Sequence, residues 1–189
     1  MKKLRFLPLG MIAMLLASCS SDDNNNGGPV NEEEVITTVT VQLTPQAGGT
    51  SVTLTSRDLD GDGPTAPVIT VSDNLTTNTV YNGTVTLLNE IANPIENITP
   101  EVIEEALDHQ FFFSGSNGIG TAAYSAPFDS NNNPIGVNFT FTTTNAANGN
   151  LTVILRHEPN KTAQGVSNGD IANAGGETDV QVTFPVVVE

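Results

Sequence analysis

From Val35 onward the chain alternates apolar and polar residues with period two, in one short segment after another. Successive side chains of an extended strand point to opposite faces, so such a run is stable when one face packs on a core and the other meets water. Valine and threonine dominate these segments, and their β-branched side chains suit a pleated surface better than a helix. The alternation predicts strands near Val35–Leu43, Thr50–Arg57, Pro67–Ser72, Thr79–Leu88, His109–Ser114, Gly120–Ser125, Ile135–Thr143, Leu151–His157 and Thr178–Val188. Gly, Pro, Asn and Asp punctuate them as turn residues, at Asn82-Gly83, Asn131 to Pro134 and Asn148-Gly149 among others. Short strands separated by turns predict a mainly β fold, an antiparallel immunoglobulin-like β-sandwich.

One segment departs from the pattern. Thr99-Pro100-Glu101 reads as a helix start, with Thr as N-cap, Pro at the first helical position and acid in the first turn. Val102, Ile103, Ala106 and Leu107 form a stripe opposite Glu101, Glu104, Glu105 and Asp108, so one short helix is expected from Pro100 to Leu107. Phe111-Phe112-Phe113 is aromatic at both parities, which predicts a central strand buried on both faces, the alternative being an exposed apolar ligand patch on one face. Glu158 to Gly176 is the longest stretch without periodicity, and loops of that length are usually functional or disordered.

Ahead of the domain the chain carries a different signal. Lys2, Lys3 and Arg5 precede an apolar run of 12 residues, Phe6 to Ala17. That is shorter than the roughly 20 residues a membrane-spanning helix needs, and it fits a secretory signal peptide. The run ends in Leu16-Ala17-Ser18-Cys19, and Cys19 is the only cysteine. This resembles a lipobox, which implies lipid attachment, including a palmitate-type acyl chain, at Cys19 and cleavage before it. The expected division is a signal peptide over 1–18, a lipidated cysteine and flexible acidic tether over 19–34, and a sandwich domain over 35–189. Ser20 to Pro29 is polar and turn-rich, with too little apolar surface to fold.

Cleavage would leave Arg57, Arg156 and Lys161 against 21 acidic residues, a formal charge of −18. Such a surface repels nucleic acid and anionic headgroups and admits cations. No Gly-x-Ser-x-Gly elbow, phosphate-cradling glycine loop or catalytic cysteine is present, so no enzyme activity is expected.

Two constellations could bind metal. Asp58-Leu59-Asp60-Gly61-Asp62-Gly63 places carboxylates at alternate positions, like the first half of an EF-hand calcium loop, with Asp58, Asp60 and Asp62 as ligands. Ile69 stands where the bidentate Glu belongs, and an acidic β-turn explains the same residues. The second is a histidine pair. His109 shares parity with Phe111 and Phe113, and His157 with Leu151, Val153 and Leu155, so both face the core side near a strand end. With Glu105 and Glu158 as carboxylates, the pair would suit zinc or copper. Two core histidines satisfied by hydrogen bonds are the alternative.

Leu16 to Asp23, Asp58 to Gly63, Asp108 to Phe113, Leu155 to Pro159 and Gly169 to Glu177 together resemble small surface lipoproteins of Bacteroidota. The resemblance implies lipid anchoring at the outer membrane, exposed at the cell surface or facing the periplasm, and carries over no catalytic or binding residue. The expected role is a cell-surface binding or accessory module with a structural calcium site. The alternatives are a zinc- or copper-binding accessory to an uptake system, and a glycan-binding or hydrolase-accessory module. Its partners would be the membrane, through the lipid, and a surface protein or glycan.

Overall fold

The strand-forming segments assemble into two packed antiparallel sheets in a computed structural model that describes residues 34–61 and 63–189. Cys19, the tether ahead of Glu34 and Asp62 lie outside the described residues. The strands are β1 (Thr38–Pro45), β2 (Val52–Arg57), β3 (Val68–Val71), β4 (Val80–Asn89), β5 (Glu96–Asn97), β6 (His109–Gly115), β7 (Gly120–Tyr124), β8 (Asn138–Thr143), β9 (Ala147–His157) and β10 (Glu177–Val188), with one helix, α1 (Thr99–Glu104). The larger sheet runs β3-β2-β1-β4-β8-β7, with β5 paired to β4, and the smaller runs β10-β9-β6. An antiparallel β-sandwich with one short α-helix is therefore what the described residues form. A compact unit spans Glu33–Glu189, so it takes in Glu34, which the sequence reading assigns to the tether.

Alternation determines the core. Val39, Val41, Leu43, Val52, Leu54, Val85 and Leu87 of the larger sheet face Phe111, Leu151, Val153, Leu155, Phe184 and Val186 of the smaller, all buried. Each such side chain contributes about 1.5–3 kcal/mol when fully removed from water. Asn82-Gly83 is not a turn but part of β4. Gly83 is required there because the Phe139 ring lies on it: a Cβ would come 2.4 Å from Phe139 Cζ.

The helix is shorter than expected, and Thr99 does not cap it. Ile98 holds the N-cap position without a side-chain bond, while Thr99 Oγ1 accepts the backbone N–H of Leu87 at 2.9 Å. A tertiary hydrogen bond to the adjacent strand has displaced the local one.

The stretch from 158 to 176 is ordered. It contains two 3-10 turns, Val166–Asn168 and Ile171–Asn173, and its Val166 and Ala174 form a second small core with Phe112. That cover explains the aromatic run, since β6 is an edge strand whose outer face is sealed by this loop rather than by another strand. Lys161 fastens the loop from inside. Its ammonium donates to the carbonyls of Ala106 and, at 3.0 Å, Pro134, and lies 3.4 Å from Asp129 Oδ2.

Candidate metal centre

The turn after α1 delivers the chain into β6 at His109, and β6 pairs with β9 so that His109 stands directly opposite His157. Both residues terminate their strands at the same end of the sheet, and the rings meet edge-on with centroids 4.7 Å apart. The histidine pair expected from parity is thus assembled by the ladder itself.

Its carboxylate partners are not the expected ones. Asp179 enters from β10. The β9–β10 register slips between Thr178 and Val180, making Asp179 the extra residue of a β-bulge. A bulge re-aims a side chain that the ordinary pleat would send the other way. The Asp179 side chain is 5% exposed, with Oδ2 3.7 Å from His109 Nε2 and Oδ1 3.8 Å from His157 Nδ1. Glu34 comes from the other direction, on the lead-in to β1. Its side chain is 7% exposed and its Oε1 lies 3.3 Å from His109 Nε2.

Glu34, His109, His157 and Asp179 each bring one ligand atom to a common point, all within 4.8 Å of one another. Four ligands at about 2.0–2.1 Å from a tetrahedral metal stand about 3.3–3.4 Å apart. The 3.3 Å contact lies close to that edge; those of 3.7 and 3.8 Å reach the two different oxygens of Asp179, and all three lie at or beyond the upper limit for hydrogen bonds. His109 Nε2 is fully buried and makes no well-aligned hydrogen bond among the described residues.

The far side of the His109 ring is also arranged. Nδ1 lies 3.3 Å from the Glu105 carbonyl oxygen and 3.8 Å from its carboxylate. A metal-bound histidine almost always gives its second N–H to a carbonyl or carboxylate, which fixes the tautomer and the ring orientation. Glu105 therefore stands at the outer nitrogen, as an orienting group rather than a member of the quartet. Glu158 stands outside it as well: the residue is exposed at φ 48°, and its backbone N–H donates to the Asp108 carbonyl at 2.6 Å.

The electrostatics favour a cation. Contact with His109 holds the Glu34 carboxyl below its ordinary pKa against the effect of burial. Burial opposes a charge on His109, but Glu34 and Asp179 outweigh it and raise its pKa. Glu101, on α1, is pushed up by burial and by the Glu34 charge nearby. A divalent ion bound to two neutral imidazoles and two carboxylates would leave a buried group with no net charge.

The aspartate loop has a more local organisation. Asp60 Oδ2 accepts the Thr65 N–H at 3.1 Å and its carbonyl accepts the Gly63 N–H at 2.9 Å, which closes a turn. Asp58 lies beside it with Oδ1 buried and without a hydrogen bond among the described residues, and Asp62 is outside them.

Comparison with known proteins gives no relative to reason from: no family model, curated protein or solved structure matches the chain.

Proposed function

We propose that this chain is a lipid-anchored, non-enzymatic module of the outer membrane whose sandwich domain holds a transition metal, zinc by its ligand set, through Glu34, His109, His157 and Asp179. The observation that carries the reading is the convergence of four nitrogen and oxygen ligands from four separate segments on one buried point. Two imidazoles and two carboxylates without a thiolate suit zinc, with copper next. Four protein ligands leave no open position for a substrate, which supports a structural or metal-holding role over catalysis. Leu16-Ala17-Ser18-Cys19 supports the lipid anchor.

Thermal unfolding of the metal-stripped chain, repeated with excess zinc, copper or calcium, tests the reading. Zinc at 100 times its Kd should add about 2.7 kcal/mol, a shift of several degrees. His157→Ala or Asp179→Ala should remove the shift. A calcium response indifferent to His157→Ala would move the site to Asp58, Asp60 and Asp62, and no response to any metal would leave the quartet as an ion-pair network.

A further inference from the structure

The four ligands are not equivalent in how the fold holds them. His109, His157 and Asp179 belong to β6, β9 and β10, three adjacent strands of the smaller sheet, and the ladder keeps them in register. Glu34 belongs to the other half of the sandwich, on the segment that runs into β1 of the larger sheet. Among the described residues the backbone bonding of that lead-in starts at Thr37, whose N–H donates to the Leu88 carbonyl at 2.9 Å and whose carbonyl accepts from Asp58 at 2.7 Å. Ahead of that point Val35 is half exposed at 50%, yet the Glu34 side chain is 7% exposed because its carboxylate turns in to His109.

That carboxylate is in a contested position. Asp179 approaches the same Nε2 of His109 from 3.7 Å, so two anions flank one nitrogen, and the Glu101 carboxyl is close enough to Glu34 to feel its charge. Like charges at this separation repel, and the cost grows as water is excluded. A divalent cation between them converts the repulsion into shared coordination.

We infer that the metal is a clasp for the lead-in: occupancy of the centre docks residues 34–37 across the two sheets, and loss of the metal releases Glu34 first while the three strand-borne ligands stay in place. The inference rests on the metal reading above and adds a regulated element to it. The metal-binding site becomes a switch on how the segment ahead of β1 leaves the domain.

Hydrogen exchange on the full chain tests it, with zinc binding measured by calorimetry on the same samples. The hydrogen-bonded amides that tie the lead-in down, Thr37 to Leu88 and Asp58 to Thr37, should slow by up to about 100-fold at 100 times the Kd if they exchange by an opening that releases zinc. Glu34→Gln should still bind zinc, more weakly, through the remaining three ligands, while its lead-in exchanges as fast as in the stripped wild type. Protected β4 and β9 amides in the variant would show that its fold is intact. Wild type that binds zinc without slowing the Thr37 and Asp58 amides, or Glu34→Gln that slows them as wild type does, would overturn the clasp and leave the metal centre standing. Absence of zinc binding in the wild type would overturn both.

Discussion

Burial by itself would favour neutral His109, yet Glu34 and Asp179 keep a proton on it above the ordinary histidine range. A group with a raised folded pKa contributes stability in full below its unfolded value, here 6.5, and loses it as pH rises through the folded value. Glu34, lowered by the His109 contact, contributes in full above 4.5 and loses its share as pH falls through its folded value. The metal-free chain should therefore gain most from this pair between pH 4.5 and 6.5, where protonated His109 holds Glu34 in the metal's place, and the release of Glu34 on metal loss, with the exchange that reports it, belongs above that window. The Tm of the metal-free chain should decline on both sides, and His109→Gln should flatten the upper decline. On the proposed reading zinc would reverse the trend on that side, because it would compete with the proton for Nε2. Its affinity should rise with pH through the folded pKa of His109, with a proton released on binding, as calorimetry in buffers of different ionisation enthalpy would record.

At the scale of strands, the site depends on how β9 and β10 are joined. Arg156 on β9 donates to the carbonyls of Gly175 and Gly176 and to Thr178 Oγ1, which braces the chain as it enters the bulge. Gly176 adopts φ 67°, and a Cβ there would sit 2.1 Å from the His157 carbonyl oxygen, a backbone atom that cannot swing away. Gly176→Ala should displace β10 from the end of β9, lowering Tm by several degrees and weakening zinc binding although no ligand is changed, as thermal melts and zinc titration of the variant would measure. The same junction explains what sequence could and could not disclose. The alternation of Leu151, Val153, Leu155 and His157 disclosed the face on which the histidine lies. Asp179 has the parity of Gln181 and Thr183, which would send it to solvent, and only a register slip in the folded ladder brings it inward. Glu34 is 75 positions from His109 and precedes the first strand, so no local period relates them. Glu105 and Glu158 are acids close to the histidines in sequence, and a local pattern can point only to such neighbours. Thr99 shows the complementary failure, where a sound capping signal yields to a hydrogen bond with a strand that local reading cannot see.

At the scale of the whole molecule, the domain has an apolar core shared by both sheets and an acidic exterior, and no described helix is long and apolar enough to cross a membrane. On the proposed reading, attachment depends on Cys19. Cys19→Ser should move the protein from the membrane fraction to the soluble one and abolish labelling with palmitate, while the zinc-dependent Tm shift persists. The position of Glu34 then has a mechanical meaning. A pull on the chain from its N-terminal side reaches Glu34 before it reaches β1. Without metal, that tension would peel β1 from β2 and β4 one hydrogen bond at a time. With metal bound, the load would first meet the Glu34 coordination bond, anchored through β6, β9 and β10, which would have to break before β1 could peel, and resistance to drag at the cell surface would follow the supply of zinc.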